Sequence, residues 1–111
     1  MSELKKDVVE FLKALADQTR LDILDLLYNE KKTSSEIQLV LNKSQSTISQ
    51  HLKVLTNMAF IIFERINNTK YYEIKNREIF KLLIDIKSFV DAINKERLKT
   101  MSNEDIIDTL L

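Results

Sequence analysis

The sequence predicts a mainly α protein of the α+β class, with five helices and one two-stranded β-hairpin in the order α-α-α-α-β-β-α. Three observations carry that expectation. Apolar residues recur at spacings of three and four through most of the 111 residues. That period gives way to β-branched and aromatic runs only once, between residues 59 and 74. Glycine and proline are both absent, where average usage would supply roughly 8 and about 5 or 6. A fold of many tight turns is therefore disfavoured.

The first helix is expected over residues 3–16, from the stripe Leu4, Val8, Phe11, Leu12 and Leu15. Asp17 is an N-cap for a second helix carrying Leu21, Leu24, Leu27 and Tyr28, with Ile23 beside them, and Asn29 is its expected left-handed terminator. Thr33-Ser34-Ser35-Glu36 reads as a capping box. The short helix it starts is expected to bury Ile37, Val40 and Leu41, and Asn42 stops it. Ser44 then caps a fourth helix over residues 44–57, with Ile48, Leu52 and Leu55 on one face.

Residues 60–74 read as the hairpin. Ala59 to Ile66 and Lys70 to Ile74 flank Asn67-Asn68-Thr69, and Asn is the best substitute for glycine at positive φ. Tyr71 and Tyr72 point to opposite faces of their strand, so one is expected on the core. The last long helix spans 77–97. Ile79, Leu83, Ile86, Val90 and Ile93 form a heptad seam, and Phe80, Leu82, Ile84 and Phe89 are apolar off it. A helix apolar on more than one side must bury more than one side, so the seam is expected to meet a second chain. Residues 98–111 form a short terminal extension in which Ser102 to Glu104 precede Ile106, Ile107, Leu110 and Leu111, the pattern of a capped amphipathic turn. One domain over residues 1–111 is expected.

Composition excludes several functions. Without cysteine there are no disulfides, thiolate metal sites or cysteine nucleophiles, and one histidine cannot build a multi-His zinc site. Without glycine there is no phosphate-cradling loop of the nucleotide-binding kinds. The longest apolar run, Met58 to Phe63, is far shorter than a membrane span, and the N-terminus lacks the apolar core of a signal peptide. A cytoplasmic location is therefore expected, with no membrane partner. Ser49 and His51, two apart on a helix, do not face each other, and no acid is expected in place to orient the histidine; no enzyme is expected.

Net charge is zero, yet it is sorted along the chain. Residues 1–30 hold four basic and seven acidic side chains, net −3; residues 31–81 hold nine and four, net +5; residues 82–111 hold four and six, net −2. A basic middle between acidic ends points to an anionic partner.

That partner has a candidate reader. Placed at 100° per residue from Ile48, Ser49, Lys53, Ser46 and Gln50 fall at about 100°, 140°, 160° and 200°, opposite the apolar face. This outer face is small and polar and holds no carboxylate. A major groove about 12 Å wide admits one helix, and glutamine can bond adenine bidentately. The helix N-terminus at Ser44 and Gln45 adds a positive dipole end for a phosphate. Helix, short capped helix, polar-faced helix and hairpin is the order of a winged helix-turn-helix, with the hairpin as wing.

Three stretches then resemble the ArsR/SmtB-type family of small dimeric winged-helix repressors, over nearly the whole chain. KALADQTRLDILDLL at residues 13–27 is similar to the family's ALADPTRLRIL block. SQSTISQHLKVL at 44–55 resembles its SQSTVSRHLKVL recognition helix almost residue for residue. Arg65 to Ile74, ending in YYEI, resembles its wing. The resemblance implies that Ser46, Thr47, Ser49, Gln50 and Lys53 face the major groove or its phosphates. It implies wing contacts from Arg65, Asn67, Asn68 and Lys70, and phosphate contacts from Thr33, Ser34 and Ser35. A homodimer would form through Leu4, Val8 and Phe11 of the first helix and the seam of the last, reading an inverted repeat of double-stranded DNA as a repressor.

Departures from the family pattern are equally informative. The third-helix region has no cysteine, and the last helix offers Asp85 and Asp91 but no histidine, so no metal effector or cofactor is expected. Ala59 stands where the family usually has glycine, so an altered backbone is expected there. A different class, a winged helix that bridges proteins without specific DNA binding, is favoured by the neutral charge, a pI near 6.6 and the apolar C-terminal residues.

Overall fold

The computed structural model describes residues 2–100. Its elements are α1 (Ser2–Leu15), α2 (Gln18–Leu26), β1 (Lys32–Thr33), α3 (Ser34–Leu41), α4 (Gln45–Asn57), β2 (Ile61–Ile66), β3 (Thr69–Ile74) and α5 (Glu78–Thr100). Residues 102–111, expected as an amphipathic turn, lie outside the described residues. The chain divides into two compact units, one ending at Asn76 and the other starting at Arg77.

In the first unit, α2 packs on α1, α3 and α4, and α3 packs on α4. Asp17 caps α2 as expected, its carboxylate accepting the Arg20 N–H at 3.0 Å. The exit differs from expectation. Leu27 closes α2 in a right-handed conformation with its N–H on Ile23 O at 3.0 Å, and Asn29 is not at positive φ. The last turn satisfies its own carbonyls, so no left-handed stop is needed. Ile23, Leu24 and Leu27 are buried while Tyr28 is 47% exposed, so the buried stripe is rotated from the expected one.

The capping box of α3 is complete: Glu36 N–H donates to Thr33 Oγ1 and Thr33 N–H to Glu36 Oε1. These bonds hold the Glu36 carboxyl below the usual carboxylate range, the Thr33 N–H contributing most. Asn42 ends the helix at φ 53°. Only Ile37 is fully buried on α3; Val40, expected inside, is 59% exposed, and Leu41 is half-buried. An eight-residue helix has room for little more than one inward turn.

A sixth-to-first bond from Phe60 N–H to Leu55 O and a second from Ala59 N–H to Thr56 O, both 3.0 Å, close α4 in a Schellman motif. Its left-handed position is Ala59, at φ 62°. A left-handed conformation that glycine would adopt without steric cost is held here by alanine, which strains against it by about 1–2 kcal/mol. Ala59→Gly should therefore stabilise the chain by about 1 kcal/mol after the unfolded-state cost of glycine, raising the thermal midpoint by about 5 °C. An unchanged or lower midpoint would show the strain is absent.

β2 and β3 pair antiparallel from Ile61↔Ile74 to Ile66↔Thr69 around Asn67 and Asn68. Both asparagines have positive φ, 51° and 67°, the combination a two-residue type I′ turn requires. The sheet carries one strand more than expected. β1 joins the far side of β3, giving the order β1-β3-β2. Tyr72 is the tyrosine on the core, 9% exposed, and burial pushes its phenol pKa up.

The described part of the second unit holds one helix of 23 residues, about 34 Å long. The expected seam is split along it. Ile79 and Leu83 are buried, whereas Ile86, Val90 and Ile93 are exposed, as are Ile84 and Phe89. Asp91 pairs with Lys95 at 3.0 Å on the same helix. Among the described residues no helix is long and apolar enough to cross a membrane.

Candidate nucleic-acid interface

The buried face of α4 is Ile48, Leu52 and Leu55, and burying each stabilises the fold by about 1.5–3 kcal/mol. Those contacts fix the helix's rotation and leave Gln45, Ser46, Ser49, Gln50 and Lys53 exposed on its outer side. Ser44 is committed to the cap. Its hydroxyl accepts the Thr47 N–H at 3.2 Å, donates to Thr47 Oγ1 at 2.9 Å and lies 3.2 Å from Ser46 Oγ. Its job, with Thr47, is to orient the helix entrance.

One open groove joins this helix to the hairpin, and a second joins the hairpin to the start of α3. One, of about 510 Å³, is lined by Ser34, Gln45, Ser49, Lys53 and Lys70 over a floor of Leu52, Phe63 and Tyr72. The other, of about 320 Å³, is lined by Thr33, Ser34, Ser35, Arg65, Asn68 and Lys70. Ser46, Thr47, Gln50 and Asn67 line neither. Ser34 Oγ already accepts from Gln38 Nε2 at 3.0 Å, and Thr33 is held by Glu36. Ser35 is exposed on the first turn of α3.

The electrostatics of these grooves are one-signed. Lys53, Arg65 and Lys70 line them, and among the described residues no carboxylate does. The hairpin's acids are sorted to its other face, since Glu64 and Glu73 alternate with Arg65 and Tyr72 along their strands. Lys31 collects both, at 3.0 Å from Glu64 and 3.6 Å from Glu73. The Glu64 bond, more than the Glu73 charge, raises the Lys31 pKa. An acid-free surface carrying cations, on a chain of zero net charge, is suited to a polyanion.

His51 corrects an expectation. Asp17, 34 positions earlier in sequence, places Oδ2 3.9 Å from His51 Nδ1. That is too far for a hydrogen bond, and the buried Nδ1 has no hydrogen-bond partner among the described residues. An acid therefore does stand beside the histidine, contrary to expectation, at charge-pair distance only. The Asp17 carboxyl is held below its usual 3.8, chiefly by the Arg20 N–H and then by attraction to His51 and Arg20, against some desolvation. A lowered folded pKa contributes stability above the unfolded value that is lost as pH falls through the folded one. Asn caps as well as Asp. Asp17→Asn should therefore destabilise the chain at pH 7, and the gap should close as pH drops below about 4. Asp17→Ala should lose a further 1 kcal/mol or so at every pH. Chemical denaturation from pH 3 to 7 checks this; a gap that widens on acidification contradicts it.

The residues that sequence reasoning missed here are Phe63 and Tyr72 as groove floor. Lys70 Nζ stands 4.5 Å from the centre of the Phe63 ring, and that ring lies 5.7 Å from Tyr72. Their alternation on paired strands was the available signal.

The model of the bacterial regulatory protein arsR family matches residues 17–62, from the α2 cap into β2. The arsenical resistance operon repressor of Bacillus subtilis is 35% identical over 74% of this chain and 79% of its own length. The chain belongs to the arsR family. Rv0081 of Mycobacterium tuberculosis has a crystal structure that superposes with a TM-score of 0.78 at 28% identity, covering 86% of this chain and 96% of that one. A Mycobacterium bovis domain described as a homodimeric winged helix-turn-helix DNA-binding domain superposes at 0.73, with 27% identity, over 81% and 83%. The order of helices and strands expected from sequence is thus that of a winged helix. This arsR-family chain is a DNA-binding transcriptional regulator, and its grooves lie where α3, α4 and the hairpin meet.

Proposed function

We propose that this arsR-family chain is a homodimeric, cytoplasmic repressor that reads an inverted repeat of double-stranded DNA. Helix α4 enters the major groove with Gln50, Ser46 and Ser49 toward base edges, and Lys53 meets a flanking phosphate. The β2–β3 hairpin is the wing, whose Arg65, Lys70, Asn67 and Asn68 take the backbone beside it. Ser34, Ser35 and the first turn of α3 add phosphate contacts, whereas Thr33, Ser44 and Thr47 act by holding the helix starts. The observation that carries this reading is the pair of grooves lined by three cations and, among the described residues, by no carboxylate.

Leu4 and Val8 of α1 and Ile86, Val90 and Ile93 of α5, all left exposed in the single chain, supply the dimer surface. Phe11 contributes less than the sequence suggests, because its ring packs edge-on against Phe60 at 4.9 Å. Ile79 and Leu83, buried in the single chain, leave the open part of the seam to the three residues after them. The relative from Bacillus subtilis is named a repressor and the Mycobacterium bovis domain a homodimer, and both names support this assignment.

The test is to select bound fragments from genomic DNA and footprint the tightest. Two protected half-sites related by inversion, with centres about 34–36 Å apart, are expected. A single asymmetric footprint would reject the dimeric reading, and no enrichment of any fragment would favour a protein-bridging winged helix.

A further inference from the structure

Phe63, Arg65, Lys70 and Tyr72 share one face of the hairpin, because Phe63 pairs with Tyr72 and Arg65 with Lys70 across the strands. Two cations directly opposite each other repel. Lys70 avoids that position by leaning diagonally over the Phe63 ring, at 4.5 Å, and the ring in turn rests against the buried Tyr72. From there Lys70 lines both grooves, together with Ser34. Phe63 itself is 40% exposed, so its ring stays open to solvent beside the grooves while Tyr72 is the buried one of the pair.

We propose that Phe63 is a positioning residue for DNA binding: its ring holds the Lys70 ammonium at the junction of the two grooves, ready for a backbone phosphate. This rests on the reading of the chain as a duplex-DNA binder and deepens it. A lysine stem otherwise samples many rotamers, and fixing it before binding removes part of the ordering cost of the complex. A cation over an aromatic face keeps its charge and its three donors outward, so the hold does not consume the group it presents.

The experiment measures affinity for the duplex selected from genomic DNA, across salt concentrations, for the full chain and for Phe63→Leu, Phe63→Tyr, Lys70→Ala and the Phe63→Leu, Lys70→Ala double variant. Phe63→Leu should weaken binding about threefold to tenfold with the salt slope kept, because the lysine still reaches its phosphate. Phe63→Tyr should bind like the wild type. Lys70→Ala should lower the slope by about one per half-site, and adding Phe63→Leu to it should cost nothing more. In the free protein, the Lys70 side-chain methylene protons should resonate upfield from ring shielding and return to ordinary shifts in Phe63→Leu. An equal loss from Phe63→Leu with and without Lys70, or unshielded Lys70 methylenes in the wild type, overturns the proposal alone. Failure of the wild type to bind any duplex overturns it together with the reading beneath it.

Discussion

Alanine at both Gln50 and Lys53 should abolish most of the sequence preference and much of the affinity of this regulator for its duplex, while leaving its thermal midpoint nearly unchanged. Both side chains are exposed on the outer face of α4, and surface substitutions of this kind usually shift stability by less than about 0.5 kcal/mol. The two losses differ in kind. A bidentate glutamine–adenine contact is worth about 1–3 kcal/mol of discrimination, so Gln50→Ala should relax preference at one position in each half-site by roughly 5-fold to 150-fold. Lys53→Ala should weaken binding to all sequences alike and flatten the salt dependence by about one unit of slope per half-site. Anisotropy titrations with matched and single-mismatch duplexes at several salt concentrations separate the two. If both variants keep the wild-type affinity and slope, α4 is not the reading helix.

Ile48→Ala should have the largest effect on stability. Ile48 is fully buried, with Ile23, Leu24, Ile37 and Leu55 among the other fully buried side chains. Truncation removes transfer free energy and leaves a cavity, about 2–5 kcal/mol in all, against a total stability of about 5–15 kcal/mol for a domain. The denaturation midpoint should fall steeply, and DNA binding with it, because Ile48 fixes which face of α4 points outward. Ile48→Val should cost only about 0.5–1.5 kcal/mol and keep binding. A small effect from Ile48→Ala would mean that α4 is not anchored through this face.

Particular residues show why some of this is legible in the sequence. The buried face of α4, the caps at Asp17, Thr33 and Ser44, and the left-handed Asn42, Asn67 and Asn68 follow from local rules of period and hydrogen bonding, whereas Asn29 does not take the expected left-handed turn. What sequence reading missed depends on partners distant along the chain. β1 is two residues long, too short to show a period, and exists because β3 offers Lys32 and Thr33 an open edge. Val40 carries an apolar label but sits on a helix too short to turn it inward. Asp17 and His51 meet because α2 packs on α4. Ala59 was legible as a departure; its left-handed φ shows that the Schellman bonds dictate the backbone there, over the preference of the residue.

The charge sorting along the chain acquires a spatial meaning as well. The basic middle segment still contains acids, but Lys31 gathers Glu64 and Glu73 onto the face of the hairpin away from the grooves. A neutral protein can thereby present a cationic surface.

The central claim is that this surface reads duplex DNA by sequence. Its most direct test is the ratio of affinities, at physiological salt, for the fragment enriched from genomic DNA and for the same fragment with its bases shuffled. A sequence reader should favour the enriched fragment by about a thousandfold or more, with both affinities falling as salt rises. Equal affinity for the two, or no salt-dependent binding to either, would contradict the account.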